Sequence, residues 1–209
     1  MAKNVEQILP PRNPIAIVRL DDLSASLEIS RALLEGGITR LEFTLTNSEA
    51  NKAITEVRRE FGERLVVGAG TILDAEQART SIEAGAQFLV TPAMLPEVIA
   101  VARERQVPIA CGAYTPTEIL SAWRLGADLV KVFPASAGGP GYIKDVRGPL
   151  PNIPLVPTGG VNLNTCGAFL AAGAYTVAIG SQLVGKDIAR TKDWAGLTAL
   201  ARQYVEACS

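Results

Sequence analysis

Histidine is absent from this sequence, and its absence excludes several kinds of active site. Without an imidazole there is no serine-type catalytic triad that uses a histidine base. Zinc sites with histidine ligands are excluded for the same reason. Any acid–base catalysis in this protein must therefore use Glu, Asp, Lys, Tyr or Cys side chains.

Cysteine is scarce, since the chain contains only Cys111, Cys166 and Cys208. An odd number of widely separated cysteines, with no CxxC pair, argues against a disulfide framework and against a thiolate zinc site. The first residues lack the apolar stretch of a signal peptide. The sequence also has no run of about 18 apolar residues, which is the length that a membrane-spanning helix needs. We therefore expect a soluble protein of the cytoplasm, with no metal site and no membrane partner.

The charge balance gives no sign of a nucleic-acid partner. Twenty Lys and Arg residues against 21 Asp and Glu residues leave a formal charge of −1 over 209 residues. Nucleic-acid binding would need basic charge clustered on one surface, so we expect none. The length suits one domain and no Ser/Gly-rich linker divides the chain, which predicts a single domain over residues 1–209.

Short apolar, β-branched segments recur along the chain at a regular spacing, and each is followed by an amphipathic helical pattern. The predicted strands are 15–19, 39–45, 65–69, 87–90, 107–111, 128–133, 153–157 and 176–180. Eight strand–helix units predict a (β/α)8 barrel, with a short helix before the first strand that closes the barrel bottom. An open doubly wound sheet is the alternative. It usually has a dominant glycine-rich first turn, whereas the glycine-rich turns here follow strands 6, 7 and 8.

Lys131 differs from the other lysines in its position. The others fall in the N-terminal segment, in predicted helices or in polar loops, whereas Lys131 lies in the sixth predicted strand. It is close to the carboxyl end of that strand, where barrel enzymes have their active sites. Burial lowers the pKa of an ammonium group, and a neutral amine is what a Schiff-base nucleophile must be. The alternative is a lysine that extends to the surface or pairs with a carboxylate.

Two more charged residues fall at the same predicted rim. Glu42 interrupts the apolar second strand, and with no histidine present a glutamate is the available group for the proton transfers of Schiff-base chemistry. A structural pairing of Glu42 with Lys131 or Arg19 is the alternative, and it is compatible with catalysis. Arg19 ends the first strand, where a guanidinium suits a carboxylate or a phosphate.

Glycine-rich loops follow the last two predicted strands, at PTGGVN (157–162) and AIGSQLVG (178–185). Their backbone N–H groups can approach an anion closely, and barrels often hold phosphate at this place. The two loops together predict a phosphate site. The segment SAGGPGYIK (136–144), after the sixth strand, could reach the same anion.

Taken together, several motifs resemble those of one known family. These are the class I aldolases that cleave 2-keto-3-deoxy-6-phosphogluconate (KDPG), with the related 6-phosphogalactonate and 4-hydroxy-2-oxoglutarate aldolases. The resemblance runs from PIAIVR to IGSQLV. It is carried by LEFTL (41–45), GAGT (68–71), TPAM (91–94), YTPTE (114–118), VKVFPA (130–135) and PTGG (157–160).

The resemblance implies a (β/α)8 lyase that assembles as a homotrimer and needs no metal or organic cofactor. Its small-molecule partners would be a keto acid and a phosphorylated aldehyde. The implied reaction is the reversible cleavage of a 2-keto-3-deoxy-6-phospho sugar acid into pyruvate and glyceraldehyde 3-phosphate, through an imine on a lysine.

The resemblance also implies a role for each residue at the rim. Lys131 would form the imine with the keto carbon of pyruvate, and Glu42 would be the proton shuttle. The other implied site residues hold the pyruvate carboxylate (Thr71 and Thr158, with Arg19 nearby), line the pocket (Pro92 and Phe133) or bind the distal phosphate (Gly159, Gly160, Gly180 and Ser181).

One position departs from the gluconate-cleaving enzymes, which have an arginine four residues after the glutamate. Here that position is Thr46, followed by Asn47. The galactonate-cleaving enzymes have a polar amide in this neighbourhood and an arginine equivalent to Arg19. Galactonate-type or 4-hydroxy-2-oxoglutarate specificity therefore stays open. From other classes, a sugar-phosphate epimerase, which needs no imine, and a non-catalytic assembly protein are the alternatives.

Overall fold

Eight short parallel strands surround the centre of the molecule in the computed structural model, which describes residues 5–209. The strand order is β7-β6-β5-β4-β3-β2-β1-β8, and the predicted (β/α)8 architecture is confirmed. The edge strands β7 and β8 meet through a bridge between Thr158 and Ala178, so the barrel is nearly closed. The strands are β1 (Ile15–Val18), β2 (Arg40–Thr44), β3 (Val66–Gly70), β4 (Leu89–Val90), β5 (Ile109–Ala113), β6 (Leu129–Val132), β7 (Leu155–Pro157) and β8 (Ala178–Ile179).

Helices connect the strands and cover the outside of the barrel. α6 illustrates how the sequence sets their ends: Thr115 and Glu118 form a capping box at its start, and Gly126 ends it in the left-handed conformation, with φ of 100°. Within residues 5–209, no helix is both long and apolar enough to cross a membrane. The helices are α1 (Val5–Ile8), α2 (Ser26–Glu35), α3 (Ala50–Phe61), α4 (Ala75–Glu83), α5 (Pro96–Glu104), α6 (Pro116–Leu125), α7 (Gly139–Arg147), α8 (Cys166–Ala171), α9 (Lys186–Thr191) and α10 (Trp194–Cys208).

The alternation of side chains along each strand divides the apolar core into two clusters. Outward-facing residues, such as Val18, Leu41 and Phe43, pack beneath the helices in the larger cluster. Inward-facing residues form a second cluster, which we call the barrel plug. It consists of Leu9, Ile15, Ile17, Phe88, Val90, Ala110, Leu129, Val156 and Ala178.

The N-terminal helix closes the bottom of the barrel, as the sequence predicts. Leu9, directly after α1, is 1% exposed and belongs to the barrel plug. Arg40 Nε donates to the carbonyl of Ile8 (3.0 Å), and the Tyr175 hydroxyl donates to the carbonyl of Leu9 (2.9 Å). Because Arg40 begins β2 and Tyr175 precedes β8, these bonds hold α1 at the amino-terminal ends of the strands.

Candidate active site

The inward-facing positions continue from the barrel plug into the upper half of the barrel. On β6, Lys131 follows Leu129 by two residues and is buried, with 7% of its surface exposed. On β2, Glu42 is 1% exposed and pairs in register with Ile17 of β1. The two-residue period also places Thr158 after Val156 at the end of β7. The fold therefore brings chemically active side chains to the carboxyl ends of the strands.

A cavity of about 290 Å³ opens at this end of the barrel. The structure brings all eleven predicted site residues together in its lining: Arg19, Glu42, Thr71, Pro92, Lys131, Phe133, Thr158, Gly159, Gly160, Gly180 and Ser181. Six further lining residues were not predicted as site residues: Ile17, Thr44, Thr46, Val161, Ala178 and Gln182. Strand alternation could have found Ile17, Thr44 and Ala178, because they share the inward face of their strands with predicted site residues.

Burial lowers the pKa of Lys131, and this is the largest influence on the group. The carboxyl group of Glu42 acts in the opposite direction, and the guanidinium of Arg19 adds a smaller lowering of the pKa of Lys131. The Lys131 Nζ atom lies 5.4 Å from the centroid of the Phe133 ring. The site therefore favours the neutral amine, which is the nucleophilic form.

Burial raises the pKa of Glu42, and the nearby Lys131 opposes that rise. Within the described part of the chain, the buried Oε1 atom of Glu42 has no hydrogen-bond partner. A carboxyl group with a raised pKa is better matched to exchanging protons near neutral pH than an ordinary glutamate. The pKa values of Lys131 and Glu42 are thus shifted in the directions that a nucleophilic amine and a proton-transferring carboxyl group require.

Thr71 lines the cavity in a backbone conformation that is unusual for its residue type. Its φ of 58° is in the left-handed region, which a β-branched side chain rarely adopts. The following N–H group, that of Ile72, donates to the carbonyl of Val90 (3.2 Å) and ties this turn to β4. Strained backbone of this kind clusters at functional sites, where the surrounding structure maintains it.

The loop after β7 depends on two consecutive glycines. Gly159 and Gly160 have φ of 87° and 76°, in the left-handed region that favours glycine. A Cβ atom on Gly160 would also lie 2.5 Å from Cβ of Ser136, so a side chain would not fit there. Gly180 and Ser181 line the same cavity from the end of β8. Backbone N–H groups in such glycine-rich turns are suited to anion binding.

Thr46 occupies the position where the sequence departs from the gluconate-cleaving pattern. Its hydroxyl is 2.8 Å from the hydroxyl of Thr44, and both residues line the cavity. The neighbouring Asn47 does not line it. The Asn47 amide instead donates to the carbonyls of Leu20 (3.1 Å) and Asp21 (2.9 Å), which ties the loop after β2 to the loop after β1. The cavity thus has a neutral hydroxyl pair at this wall, and its basic residues are Lys131 and Arg19.

Both the sequence and the fold are similar to those of known aldolases. Residues 5–200 match the family described as KDPG and KHG aldolase. The 2-dehydro-3-deoxy-phosphogluconate aldolase of Pseudomonas aeruginosa is 35% identical over 195 residues, covering 92% of this chain and 87% of that protein. The KHG/KDPG aldolase of Escherichia coli is 32% identical over 204 residues, covering 97% of this chain and 95% of that protein.

A solved structure adds chemical information to the comparison. The KDPG aldolase from Legionella pneumophila, with pyruvate captured at low pH as a covalent carbinolamine intermediate, superimposes with a TM-score of 0.85. It is 28% identical to this chain, and the match covers 91% of this chain and 92% of that one.

Proposed function

Because the chain belongs to the KDPG and KHG aldolase family, we propose that it reversibly cleaves a 2-keto-3-deoxy-6-phospho sugar acid into pyruvate and glyceraldehyde 3-phosphate. The observation that carries this proposal is the burial of Lys131 in the cavity, because burial lowers its pKa and favours the neutral amine. An epimerase or a non-catalytic assembly protein is not favoured, since neither would need a buried strand lysine to form an imine.

The reaction begins when the neutral Nζ of Lys131 attacks the C2 carbonyl of the keto acid. Glu42 donates a proton as the resulting carbinolamine loses water, which leaves a protonated imine between Lys131 and C2. Glu42, now a carboxylate, takes the proton of the C4 hydroxyl, and the C3–C4 bond then breaks. The bonding electrons move into the iminium, so an aldehyde leaves and an enamine stays on Lys131.

The second half of the reaction returns the enzyme to its starting state. Glu42 protonates C3 of the enamine, and water adds to the regenerated imine. The carbinolamine then breaks down to pyruvate and the free amine of Lys131. The iminium is the electron sink throughout, so these steps need no metal or organic cofactor.

The remaining cavity residues are proposed to bind the two anionic ends of the substrate. Thr71 and Thr158 hold the carboxylate, with Arg19 nearby, and Pro92 and Phe133 line the pocket. The backbone of the two glycine loops holds the phosphate, with contacts from Gly159, Gly160, Gly180 and Ser181. Their shared location in one cavity supports these assignments.

The direct test is to add pyruvate and borohydride and to map the reduced adduct by peptide mass spectrometry. We expect the adduct on Lys131 and no aldol cleavage by a Lys131→Ala variant. The matched control is Lys52→Ala, which removes an exposed lysine of α3 and should leave both the adduct and the rate unchanged. An unmodified Lys131 in the active wild-type protein would contradict the mechanism.

The identity of the sugar acid is a separate test. A panel of keto acids that compares the two C4 epimers, each with and without the phosphate, measures the specificity through kcat/KM. We expect the phosphorylated acids to be cleaved faster, because the glycine loops supply an anion site. Preference for unphosphorylated acids, including 4-hydroxy-2-oxoglutarate, would contradict the proposed substrate class while leaving the imine chemistry intact.

We also propose that the protein works in the cytoplasm as a homotrimer. The three cysteines are free and buried, which suits a reducing compartment, and the trimer is supported by the family resemblance. Light scattering on a size-exclusion column should give three times the chain mass. A monomeric mass at micromolar concentration would contradict the trimer.

A further inference from the structure

Gly70, the last residue of β3, lies beside the carboxyl group of Glu42. β2 and β3 are parallel neighbours, and Gly70 pairs in register with Thr44 of β2. Glu42 lies two residues before Thr44 on the same strand. A Cβ atom built on Gly70 would lie 2.6 Å from Oε1 and 2.8 Å from Cδ of Glu42. Both distances are below 3.0 Å, a separation that the Cβ atoms of real side chains essentially never show. The carboxyl group therefore occupies space that any other side chain at this position would fill.

The backbone at Gly70 does not itself require glycine. Gly70 lies in a β-strand and is not among the glycines of positive φ, so alanine could adopt the same backbone conformation. The three closest contacts of a Cβ atom at this position all belong to the end of one flexible side chain, that of Glu42. An alanine here is thus expected to displace the Glu42 carboxyl group rather than to unfold the strand.

Few polar contacts fix the carboxyl group of Glu42 in place. Its Oε1 atom is buried without a hydrogen-bond partner among residues 5–209. Among the same residues, no ion pair within 4.0 Å joins the carboxyl group of Glu42 to Lys131. With so little anchoring, the position of the carboxyl group is set by the surfaces against which it packs, and Gly70 is one of these.

We propose that Gly70 is a positioning residue for the aldolase reaction, since the missing side chain leaves the space that the carboxyl group of Glu42 needs beside Lys131. Gly70 is not part of the cavity lining, so it acts through Glu42 and not on the substrate. This inference rests on the proposed function, because it assigns the carboxyl group the proton transfers of that reaction.

Gly68 provides a matched control on the same strand and the same inward face. A Cβ atom on Gly68 would lie 2.4 Å from the Cζ atom of Phe88, whose ring is fully buried in the barrel plug. The same Gly→Ala change would thus disturb the packing of Phe88 below the site instead of the carboxyl group of Glu42. Gly68→Ala should lower the melting temperature and leave kcat of the folded fraction unchanged.

The test compares Gly70→Ala with the wild type. We expect kcat to fall about 100-fold, which is typical of a catalytic group misplaced by about 1 Å, with a smaller change in KM. The pH profile of kcat should change as well, because the environment of Glu42 changes. A melting temperature near that of the wild type would confirm that the variant folds. An unchanged kcat in Gly70→Ala, or an equal loss of kcat in folded Gly68→Ala, would overturn the proposal.

A second variant separates positioning from a general effect on the strand. Glu42→Asp shortens the side chain by one methylene and withdraws the carboxyl group from the contact with position 70. In the Glu42→Asp background, Gly70→Ala should therefore cause little further loss of kcat. If the two losses of kcat multiply instead, Gly70 does not act through Glu42 and the proposal is wrong.

Failure of this inference is distinguishable from failure of the proposed function. Trapping the wild type with pyruvate and borohydride reports on the imine alone. A wild-type protein that gives no adduct on Lys131 contradicts the proposed function. A wild-type protein that gives the adduct, beside a Gly70→Ala variant of unchanged kcat and pH profile, contradicts only the role of Gly70.

Discussion

The lower and upper halves of the barrel interior use the same inward-facing positions but have opposite character. The lower half is the barrel plug, with side chains such as Phe88 and Leu129 fully or almost fully buried. The upper half surrounds a cavity of about 290 Å³ and contains Lys131 and Glu42. On β6 the change from one character to the other takes two residues, from Leu129 to Lys131. Position along the barrel axis therefore decides whether an inward residue contributes to stability or to chemistry.

The difference has an energetic consequence. Burial disfavours the charged forms of both Lys131 and Glu42, so the upper half reduces the stability of the fold. The apolar plug offsets that loss through buried surface. Substitutions in the two halves should therefore separate activity from stability, and the predictions below begin with the largest expected effect.

Replacing Lys131 with methionine should have the largest effect on activity, and replacing Glu42 as well should raise stability. We expect turnover to fall by at least about 10⁴-fold, because the variant has no amine to form the imine. In a Lys131→Met, Glu42→Gln double variant the free energy of unfolding should rise by about 1 kcal/mol, because both desolvated ionisable groups are removed together. Urea denaturation measures the second effect, and clear destabilisation would contradict our description of the site.

Replacing Phe88 with alanine should have the reverse effect. The change removes a fully buried ring from the barrel plug and should destabilise the protein by about 3–5 kcal/mol. The kcat of the protein that stays folded should be close to that of the wild type. Leu125→Ala is the control, since Leu125 is 40% exposed and its loss should cost less than about 0.5 kcal/mol. Equal destabilisation by Phe88→Ala and Leu125→Ala would contradict the stabilising role of the barrel plug.

Glu42→Gln should lower kcat by about 100-fold or more, because the amide cannot transfer the protons. It should also alter how stability depends on pH. Burial raises the pKa of Glu42 in the folded state, so the folded state holds this proton more tightly than the unfolded state. The contribution of Glu42 to stability is therefore full below its ordinary pKa of 4.5 and is lost as pH rises through the raised value.

Denaturation of the wild type and of Glu42→Gln at several pH values measures that linkage. The wild type should lose stability relative to the glutamine variant as pH rises above 4.5. A wild type that gains stability over this range, relative to the variant, would show that Glu42 is held as a carboxylate.

The smallest of the predicted effects is that of Arg19→Gln. This variant should change the pH dependence of imine formation. The rate of trapping with pyruvate should rise with pH as Lys131 loses its proton, with a midpoint below the ordinary lysine pKa of 10.5. Arg19 lowers the pKa of Lys131, so its removal should move that midpoint to higher pH. The movement should be small because Arg19 is exposed to solvent. A movement to lower pH would contradict the assigned influence.

Much of the fold follows from patterns that act over short distances in the chain. All eight strands were predicted, because each is a short β-branched segment followed by a helical pattern. The predicted bounds were too long in places: the eighth strand was expected over 176–180 and forms over Ala178–Ile179. Strand ends depend on pairing with a neighbour that is distant in sequence, so composition alone does not define them.

The site was predictable in part for a similar reason. The structure places Lys131 and Glu42 in the cavity lining, and both were predicted there because a charged residue inside an apolar strand is visible in the sequence. The family resemblance added the loop residues. Gln182 and Val161 were missed, since both lie beyond strand ends, where alternation no longer indicates direction. The space at Gly70 could not be predicted at all, because it is defined by a side chain on another strand.

The junction between β7 and β8 has a consequence for what a ligand does to the whole molecule. Thr158 forms the bridge to Ala178 there, and the two proposed phosphate-binding loops extend from the two sides of this junction. A phosphorylated substrate that contacts Gly160 on one side and Ser181 on the other would hold together β7 and β8, the two ends of the strand order. Ligand occupancy should then slow amide hydrogen exchange along these two strands. The bound substrate would thus stabilise the closure of the barrel that surrounds it.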